Sequence, residues 1–398
     1  MVNMNRHFLR DIADIQTGPF GSQLHKEDYV DIGTPIVTVE HLGNRVFTEQ
    51  NLPKVSDEDK ARLSKYVLKE GDIVFSRVGS VDRCSYVDAA HDGWMFSGRC
   101  LRVRPNTEVD PLYLYYFFCL EDTKQFVRNI AVGATMPSIN TKLLGEVEVA
   151  YPSQTEQQKI VALLSALDDK IEINQKINDN LEQQVQAYFQ ELFVDNADPA
   201  WTLGTISDLG TVVGGSTPSK SKPEYYTEDG IAWITPKDLS INKAKFISHG
   251  ENDITELGLK NSSASIMPEG TVLFSSRAPI GYIAIASGEV TTNQGFKSVV
   301  PKPEIGTAYV YCFLKHNLPV IEGMASGSTF KEVSGSTMKN VPAVIPDTET
   351  LTCFNDFCAP IFAHQRILEE QNQSLAALRD SLLPKLMSGE IDVSAIQL

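Results

Sequence analysis

The side chains best suited to catalysis or metal binding do not form a recognisable catalytic set. The six cysteines form no Cys-x-x-Cys pair, and no histidine lies at zinc-site spacing from them. The sequence also contains no phosphate-binding Gly-rich motif, no His-Glu-x-x-His and no Asn-Pro-Pro-aromatic tetrapeptide. Asp168 and Asp169 form a carboxylate pair, but neighbouring helical residues point in different directions, which favours a solvated helix face. We therefore expect no catalysis, metal or cofactor on this chain.

An internal repeat is the most informative feature of the sequence. EGDIVFSR at 70–77 recurs as EGTVLFSSR at 269–277, and LRDIADI at 9–15 recurs as LGTISDL at 203–209. The offset is 199 residues for the first pair and 194 for the second, so the halves differ by loop insertions. Two copies of about this length indicate a duplicated domain, whereas a solenoid would need more and shorter units.

Each copy ends in a predicted long helix. Residues that recur at alternating steps of four and three form a seam typical of a coiled coil, and the same steps recur 194 residues later. The seam positions are Ile160, Leu164, Leu167, Ile171, Asn174, Asn178, Leu181, Val185, Tyr188 and Leu192 in the first helix, and Phe354, Cys358, Ile361, Gln365, Leu368, Asn372, Leu375, Arg379, Leu382 and Leu386 in the second.

Two seams of equal length favour mutual packing of the helices; the alternative is that each helix packs only on its own domain. Asn174 and Asn178 are expected to fix register at a cost in stability. Pro360 and Pro384 are expected to bend the second helix or end turns. The predicted fold is mixed α/β, with globular domains at 1–152 and 197–348 and two long antiparallel helices at 153–196 and 349–398.

The formal net charge of −16 is unevenly distributed. Residues 1–150 carry −4 and residues 201–346 carry −1, whereas the two helical segments together carry −11. Acidity in the helices would repel phosphate, while the near-neutral globular domains could still bind DNA locally. We expect a cytoplasmic chain, because it has no signal-peptide pattern, no apolar run of membrane-spanning length and cysteines suited to buried thiols.

The architecture resembles the specificity subunit of type I restriction–modification enzymes over essentially the whole chain. SLLPKLMSGEI at 381–391 and PSQTEQQKI at 152–160 are similar to the family's conserved helical regions. GGSTPS at 214–219, WIT at 233–235 and TNQGF at 292–296 match recurrent motifs of its recognition domains. The first domain departs from these motifs, since GPFGSQ replaces GGSTPS and FSG at 96–98 stands where the Asn-Gln-Gly run would be.

The resemblance implies a division of labour. Each recognition domain would read one half of a bipartite, asymmetric double-stranded DNA target, and the antiparallel helices would set the spacing. Two methyltransferase subunits, which carry S-adenosylmethionine and methylate adenine N6, would dock on the helices. Two nuclease/translocase subunits would join for restriction. A duplicated chain mimics a symmetric dimer while letting the half-sites differ.

Base reading requires donors and acceptors on loops, with cations for phosphate. The candidate DNA-binding residues of the first domain are Gln23, His25, Lys26, His41, Arg45, Arg77, Arg83, Thr135, Ser138 and Asn140. Those of the second are Ser216, Thr217, Ser219, Lys220, Lys237, Arg277, Gln294, Ser328, Thr329 and Lys331. Arg77 and Arg277 are favoured, because the repeat places an arginine at the end of an apolar strand in both copies; a structural salt bridge is the alternative.

A second hypothesis is a non-catalytic coiled-coil scaffold that binds proteins and never touches DNA. With so little positive charge, the DNA-reading hypothesis also predicts weak binding by the lone chain. Tight binding would then require phosphate contacts from the methyltransferase subunits.

Overall fold

A computed structural model describes residues 4–19, 23–106, 108–327 and 331–394, with Lys26 described by its backbone alone. The chain divides into two compact units, Met1–Ile171 with Ser374–Leu398 and Glu172–Gln373. Each unit holds one globular α/β domain together with a segment of both long helices. The boundary between the units therefore falls within the helices.

The elements of the first half follow from short β-branched or aromatic runs broken by glycine, proline and aspartate. They are β1 (Asn5–Phe8), α1 (Leu9–Ile12), β2 (Ala13–Thr17), β3 (Tyr29–Val30), β4 (Thr34–Val37), β5 (Lys54–Val55), α2 (Asp57–Arg62), β6 (Ile73–Ser76), β7 (Cys84–Tyr86), β8 (Met95–Phe96), β9 (Cys100–Pro105), α3 (Pro111–Cys119), α4 (Glu121–Ile130), α5 (Thr141–Gly145), β10 (Glu148–Tyr151) and α6 (Gln154–Gln190), which continues as a π-helical turn over Glu191–Asp195.

The second half repeats this order. Its elements are β11 (Thr202–Thr205), α7 (Ile206–Leu209), β12 (Gly210–Gly214), β13 (Tyr226–Thr227), β14 (Ile231–Ile234), α8 (Pro236–Ile241), β15 (Phe246–Ile247), β16 (Asn252–Ile254), α9 (Glu256–Lys260), β17 (Val272–Ser276), β18 (Ile280–Ala286), β19 (Thr291–Thr292), β20 (Lys297–Pro301), α10 (Thr307–His316), α11 (Leu318–Gly323), α12 (Gly335–Lys339), β21 (Pro342–Ile345) and α13 (Thr348–Met387).

The sheets of the two units share one topology. The strand orders β2-β9-β6-β7 and β3-β5-β4-β8 in the first unit correspond to β12-β20-β17-β18 and β13-β16-β14-β19 in the second. β4 pairs with β8, and β14 with β19, in the parallel sense; the other pairs of these orders are antiparallel. The second unit adds β15, parallel to β18. The shared topology confirms the mixed α/β class and the internal repeat.

A tyrosine ties the main helix of each unit to the ribbon where the chain enters the long helix. Asp110 caps α3 by accepting hydrogen bonds from the amides of its first turn, and the Tyr113 hydroxyl donates to the Ala150 oxygen over 3.1 Å. In the second unit the Tyr309 hydroxyl donates to the Val344 oxygen over 2.8 Å. Both tyrosines are almost fully buried in their cores.

The long helices pack against each other and also against the globular domain of each unit, so the alternative that each helix packs only on its own domain is wrong. In the first unit the Arg379 guanidinium donates to Asp168 over 2.7 Å. In the second, Gln365 Nε2 donates to the Asn178 oxygen over 3.1 Å. Because residue numbers rise along α6 as they fall along α13, the segments are antiparallel within each unit. Leu164 also belongs to the core of the first domain.

The described seam positions are all buried or half-buried. The prolines do not end the second helix, because α13 runs without interruption through Pro360 and Pro384, whereas the predicted bend stays a prediction. Both are exposed, so a carbonyl group that loses its helical partner can face water. The cysteines are free thiols, of which Cys353 is exposed, Cys119 half-buried and the remainder buried.

Candidate nucleic-acid interface

The glycine-rich loop after β12 is fixed to the sheet at its base. A Cβ atom on Gly215 would lie 2.0 Å from the Asn293 carbonyl oxygen, so the close approach requires glycine. The Ser216 amide donates to a carbonyl oxygen of β19 over 2.9 Å. Ser219 and Lys220 are exposed beyond this fixed base. The loop is thus suited to present hydroxyl and ammonium groups to a ligand.

A connected polar cluster lies beside that loop. The Thr217 hydroxyl donates to Oε1 of the exposed Gln294. Lys297 Nζ donates to the backbone oxygen of Gln294 over 3.3 Å and lies 3.5 Å from one carboxylate oxygen of Glu332. Arg277 Nη1 lies 3.6 Å from the other carboxylate oxygen of Glu332. We call these five residues the β20 cluster; it combines an amide, a hydroxyl and two cations, the groups that base edges and phosphates require.

The other predicted residues of the second domain lie apart from these bonds. Lys237 Nζ pairs with Glu251 at 2.5 Å, and this hydrogen bond raises the pKa of the lysine. Lys331 is exposed next to Glu332. Ser328 and Thr329 lie outside the described residues, so their predicted role stays a prediction.

In the first domain Arg77 lies at the end of β6 and is half-buried. Its Nη1 donates to the Gly98 oxygen over 3.2 Å, and its backbone oxygen accepts from the Ile139 amide over 3.0 Å. The side chain therefore lies across the segment that follows β8. Its predicted DNA contact stays a prediction.

The two arginines are not equivalent by register, contrary to the sequence alignment. The Ile139 amide donates to Arg77 in the first unit, whereas the matching Val333 amide donates to Ser276 in the second. The isolated backbone β-bridge between Arg277 and Glu332 corresponds to the β-bridge between Val78 and Ser138 in the first unit. The register of β17 on β18 shifts between Phe274 and Ser276, and the strand carries one more serine than β6. Arg277 therefore lies one position further along.

A closed loop before α5 carries the third predicted group of the first domain. Val132 and Ser138 exchange backbone hydrogen bonds of 2.9 Å, and the Ser138 hydroxyl donates to the Val132 oxygen over 3.1 Å. Thr135 is exposed in the loop, whereas Asn140 caps α5 by accepting from the Leu143 amide over 2.9 Å. Thr135 is thus the best presented of these residues.

The remaining polar candidates of the first domain differ in exposure. Arg83 and His25 are exposed, and the Arg83 guanidinium lies against Gly43. Gln23 Oε1 accepts a hydrogen bond of 2.6 Å from the Tyr66 hydroxyl. Only the backbone of Lys26 is described.

His41 is unsuited to the role predicted for it. It is 3% exposed, and its Nδ1 lies 3.0 Å from both the amide nitrogen and the hydroxyl of Thr38. Its Nε2 lies 3.1 Å from the Gln50 oxygen. Both ring nitrogens thus hold the surrounding turns, and sequence alone could not show this burial.

Arg45 also has a different environment from the one predicted. Its Nη1 lies 2.5 Å from Asp169 Oδ1 on α6, and its side chain is only 19% exposed. The neighbouring carboxylate of Asp168 accepts from the Tyr116 hydroxyl over 2.6 Å as well as from Arg379. The carboxylate pair therefore joins the first domain to the helices. The solvated face expected for the pair is wrong for the buried Asp168, whereas Asp169 is exposed.

Sequence reasoning missed three residues at these loops. Lys297 directly follows the Asn-Gln-Gly-Phe motif, and Glu332 directly follows Lys331, so their positions were available as signals. Met136, 64% exposed, lies beside Thr135 and could offer an apolar contact to a thymine methyl group. The repeat places Phe330 at the same position of the second copy.

Within the described ranges, no group of three or more His, Cys, Asp or Glu side chains is arranged to hold a metal ion. The helices in the same ranges include none that is long and apolar enough to cross a bilayer.

Comparison with known proteins gives one consistent result. The model of the type I restriction modification DNA specificity domain matches residues 1–183 and 200–371. The chain is 40% identical to the type I restriction enzyme MjaIX specificity subunit of Methanocaldococcus jannaschii, over 46% of this chain and 44% of that protein. It is 25% identical to the HindI specificity subunit of Haemophilus influenzae, over 84% and 89% of the two chains.

The fold has a counterpart among solved structures. The crystal structure of the type I restriction–modification S subunit from M. genitalium superposes with a TM-score of 0.56 at 17% identity. The superposition covers 97% of this chain and 96% of that one.

Proposed function

The chain belongs to the type I restriction modification DNA specificity domain family, and from that premise we propose that it reads a bipartite DNA target with one half-site for each recognition domain. It is a specificity subunit of a type I restriction–modification system. The bipartite target, the subunits that dock on it and the absence of catalysis on this chain are the further content of the proposal.

One observation carries the proposal: the two units share a strand order but present different side chains from equivalent loops. The β20 cluster of the second unit offers Gln294, Lys297 and Arg277. The corresponding region of the first unit offers Arg77 and the loop with Thr135. Equal frames with unequal side chains suit a target whose halves differ in sequence.

The proposed partners are those that membership of this family implies. Methylation of adenine N6 would be done by two methyltransferase subunits that bring S-adenosylmethionine, and cleavage by two nuclease/translocase subunits. The helical segments carry −11 of the −16 charges, so they are suited to protein contacts rather than to phosphate. We expect the assembly in the cytoplasm, bound to double-stranded DNA.

Selection from a random double-stranded DNA library tests the proposal. The chain is bound together with its methyltransferase subunit, and the retained sequences are read. The expected result is two conserved blocks separated by a fixed number of unspecified base pairs, with weak retention by the chain alone. Retention without any sequence preference by the assembled complex would contradict the proposal and favour a protein scaffold.

A matched pair of variants links the two blocks to the structure. Gln294→Ala removes an exposed amide of the β20 cluster, and it should relax one block at one or two positions by about 1–3 kcal/mol for each lost bidentate contact. Gln175→Ala, exposed on α6, is the control and should leave both blocks unchanged.

A further inference from the structure

Arg45 and Lys245 occupy the same position in the two copies. The Arg45 oxygen accepts from the Tyr86 amide at the end of β7 over 2.8 Å, and the Lys245 oxygen accepts from the Ile285 amide of β18 over 2.7 Å. Both residues therefore flank the same edge of the same sheet. Each side chain reaches an acidic residue of α6, Asp169 for Arg45 and Glu182 for Lys245.

The contact in the second unit is a buried network. The Lys245 side chain is 6% exposed and pairs with Glu182 of α6, while its Nζ donates to Gln365 Oε1 of α13 over 2.5 Å. The ammonium group also lies 4.1 Å from the Phe362 ring centroid. Lys315 Nζ of α10 lies 2.6 Å from the same glutamate. One lysine of the recognition domain thus holds both helices.

Backbone bonds extend the network. The amides of Lys245 and Phe246 donate to the two carboxylate oxygens of Glu369 on α13, over 2.8 and 3.0 Å. A cavity of about 350 Å³ lies beside these groups. Directed polar bonds, which fix an angle as well as a distance, brace the domain on the helices at this edge.

We propose that Arg45 and Lys245 are positioning residues that fix the orientation of each recognition domain on the long helices and so set the spacer length of the DNA target. The inference rests on the proposed function and deepens it. A domain that can rock on its helix would still read its half-site, because the reading loops are unaltered. Such a domain would also tolerate half-sites that are separated by a shorter or a longer spacer.

Sequencing of methylated DNA from cells with the complete methyltransferase complex tests the inference. Lys245→Met keeps an unbranched side chain, one atom shorter, and removes the charge. It should leave both half-sites unchanged and raise methylation at spacers one base pair shorter or longer at least tenfold. Lys243→Met is the matched control, because Lys243 contacts the Tyr282 ring and has no such role in the proposal. It should keep a single spacer length.

The first unit separates positioning from DNA contact. Arg45→Met and Asp169→Asn remove opposite partners of one ion pair, and only Arg45 belongs to the recognition domain. The proposal predicts the same relaxed spacing for both, with rescue by Arg45→Lys. Loss of bases from the first half-site in Arg45→Met alone would overturn the proposal, since Arg45 would then read DNA.

A distance measurement tests the orientation without DNA. Spin labels are placed at Ser240→Cys in the second domain and at Gln175→Cys on α6, both exposed, and Cys353→Ser removes the exposed thiol. The distance between the labels reports how the domain is held against the helix. The distance distribution should broaden in Lys245→Met and stay narrow in Lys243→Met. Unchanged distributions would overturn the positioning role, whereas a wild-type complex that methylates without sequence preference would overturn only the proposed function.

Discussion

Asn174 and Asn372 form a hydrogen bond across the two long helices, with Nδ2 of Asn174 2.9 Å from Oδ1 of Asn372. Asn174 is fully buried in an otherwise largely apolar seam. Burying the Asn174 amide group costs desolvation, and its nitrogen meets Asn372 only in one register, so the bond specifies the alignment of the helices more than it stabilises them. Two of the polar seam positions predicted from the sequence, Asn174 and Asn372, are thus partners of one another.

The first prediction concerns this pair. Asn174→Leu should lower the free energy of unfolding by about 1–3 kcal/mol, because it leaves the Asn372 amide facing an apolar side chain. The double variant with Asn372→Leu should recover most of that loss. Urea unfolding of the four species of the double-mutant cycle measures the coupling. Additive effects of the two substitutions on the free energy of unfolding would show that the two side chains are not coupled.

The second prediction concerns the pH dependence of stability. Burial would raise the pKa of Glu182, but the charges and hydrogen bonds of Lys245 and Lys315 outweigh it and hold the pKa to about 2. The ordinary value is 4.5, so the folded state favours the carboxylate and gains stability above pH 4.5. This contribution, about 3 kcal/mol at most, is lost as the pH falls towards 2. Burial disfavours the charged form of Lys245 in the same way, and for an ammonium group this lowers the pKa.

Urea midpoints between pH 7 and pH 3 measure this contribution. Glu182→Gln should be less stable than the wild type at pH 7, and the difference should shrink as the pH falls. Glu191→Gln, exposed at the end of the same helix, is the matched control and should follow the wild type. An equal deficit for Glu182→Gln at both pH values would contradict the ion-pair account.

The third prediction concerns the charges of the β20 cluster. Glu332 places a carboxylate between Arg277 and Lys297, at 3.6 and 3.5 Å. Glu332→Gln should tighten DNA binding by the assembled complex about fivefold, because it removes a negative charge beside two cations. Lys297→Met should weaken binding and reduce the slope of log affinity against log salt by about 1. Glu322→Gln, exposed on α11, is the control; an equal gain from it would show a general charge effect.

The fourth prediction concerns the length of the helices. Two helical turns, seven residues, inserted at matching places in α6 and α13 preserve the seam and add about 10 Å. The spacer of the methylated target should lengthen by about three base pairs, with both half-sites intact. Methylated-DNA sequencing reads both quantities at once. An unchanged spacer in a folded, active complex would exclude the helices as the determinant of spacing.

The sequence predicted those features that depend on local period. Alternating steps of four and three located the start of α6 and of α13 within one residue, because a seam must recur with the turn of the helix. The predicted end of the second helix is wrong, since α13 ends at Met387 and not at 398. The repeat located both α/β domains, and the family resemblance located the segment that contains Gln294. Tertiary environment decided the rest: His41 is buried by turns that its own residue type does not reveal, and Arg45 meets Asp169 only in the folded unit.

The arginine alignment failed for a local reason. A single extra serine in β17 shifts the strand register, so matching letters at Arg77 and Arg277 are not matching positions. Hydrogen-bond partners, rather than residue types, define equivalence between diverged copies. The place of Lys297 could not be predicted, because its contacts with Gln294 and Glu332 form only in the folded unit.

Exchange of one recognition domain tests the central claim most directly. Residues 1–152 are replaced by the corresponding domain of another family member, and adenine methylation is mapped in cells that supply the partner subunits. The account predicts that one half-site changes, while the other half-site and the spacer remain. Retention of both original half-sites, or loss of both in a folded complex, would contradict one domain reading one half-site.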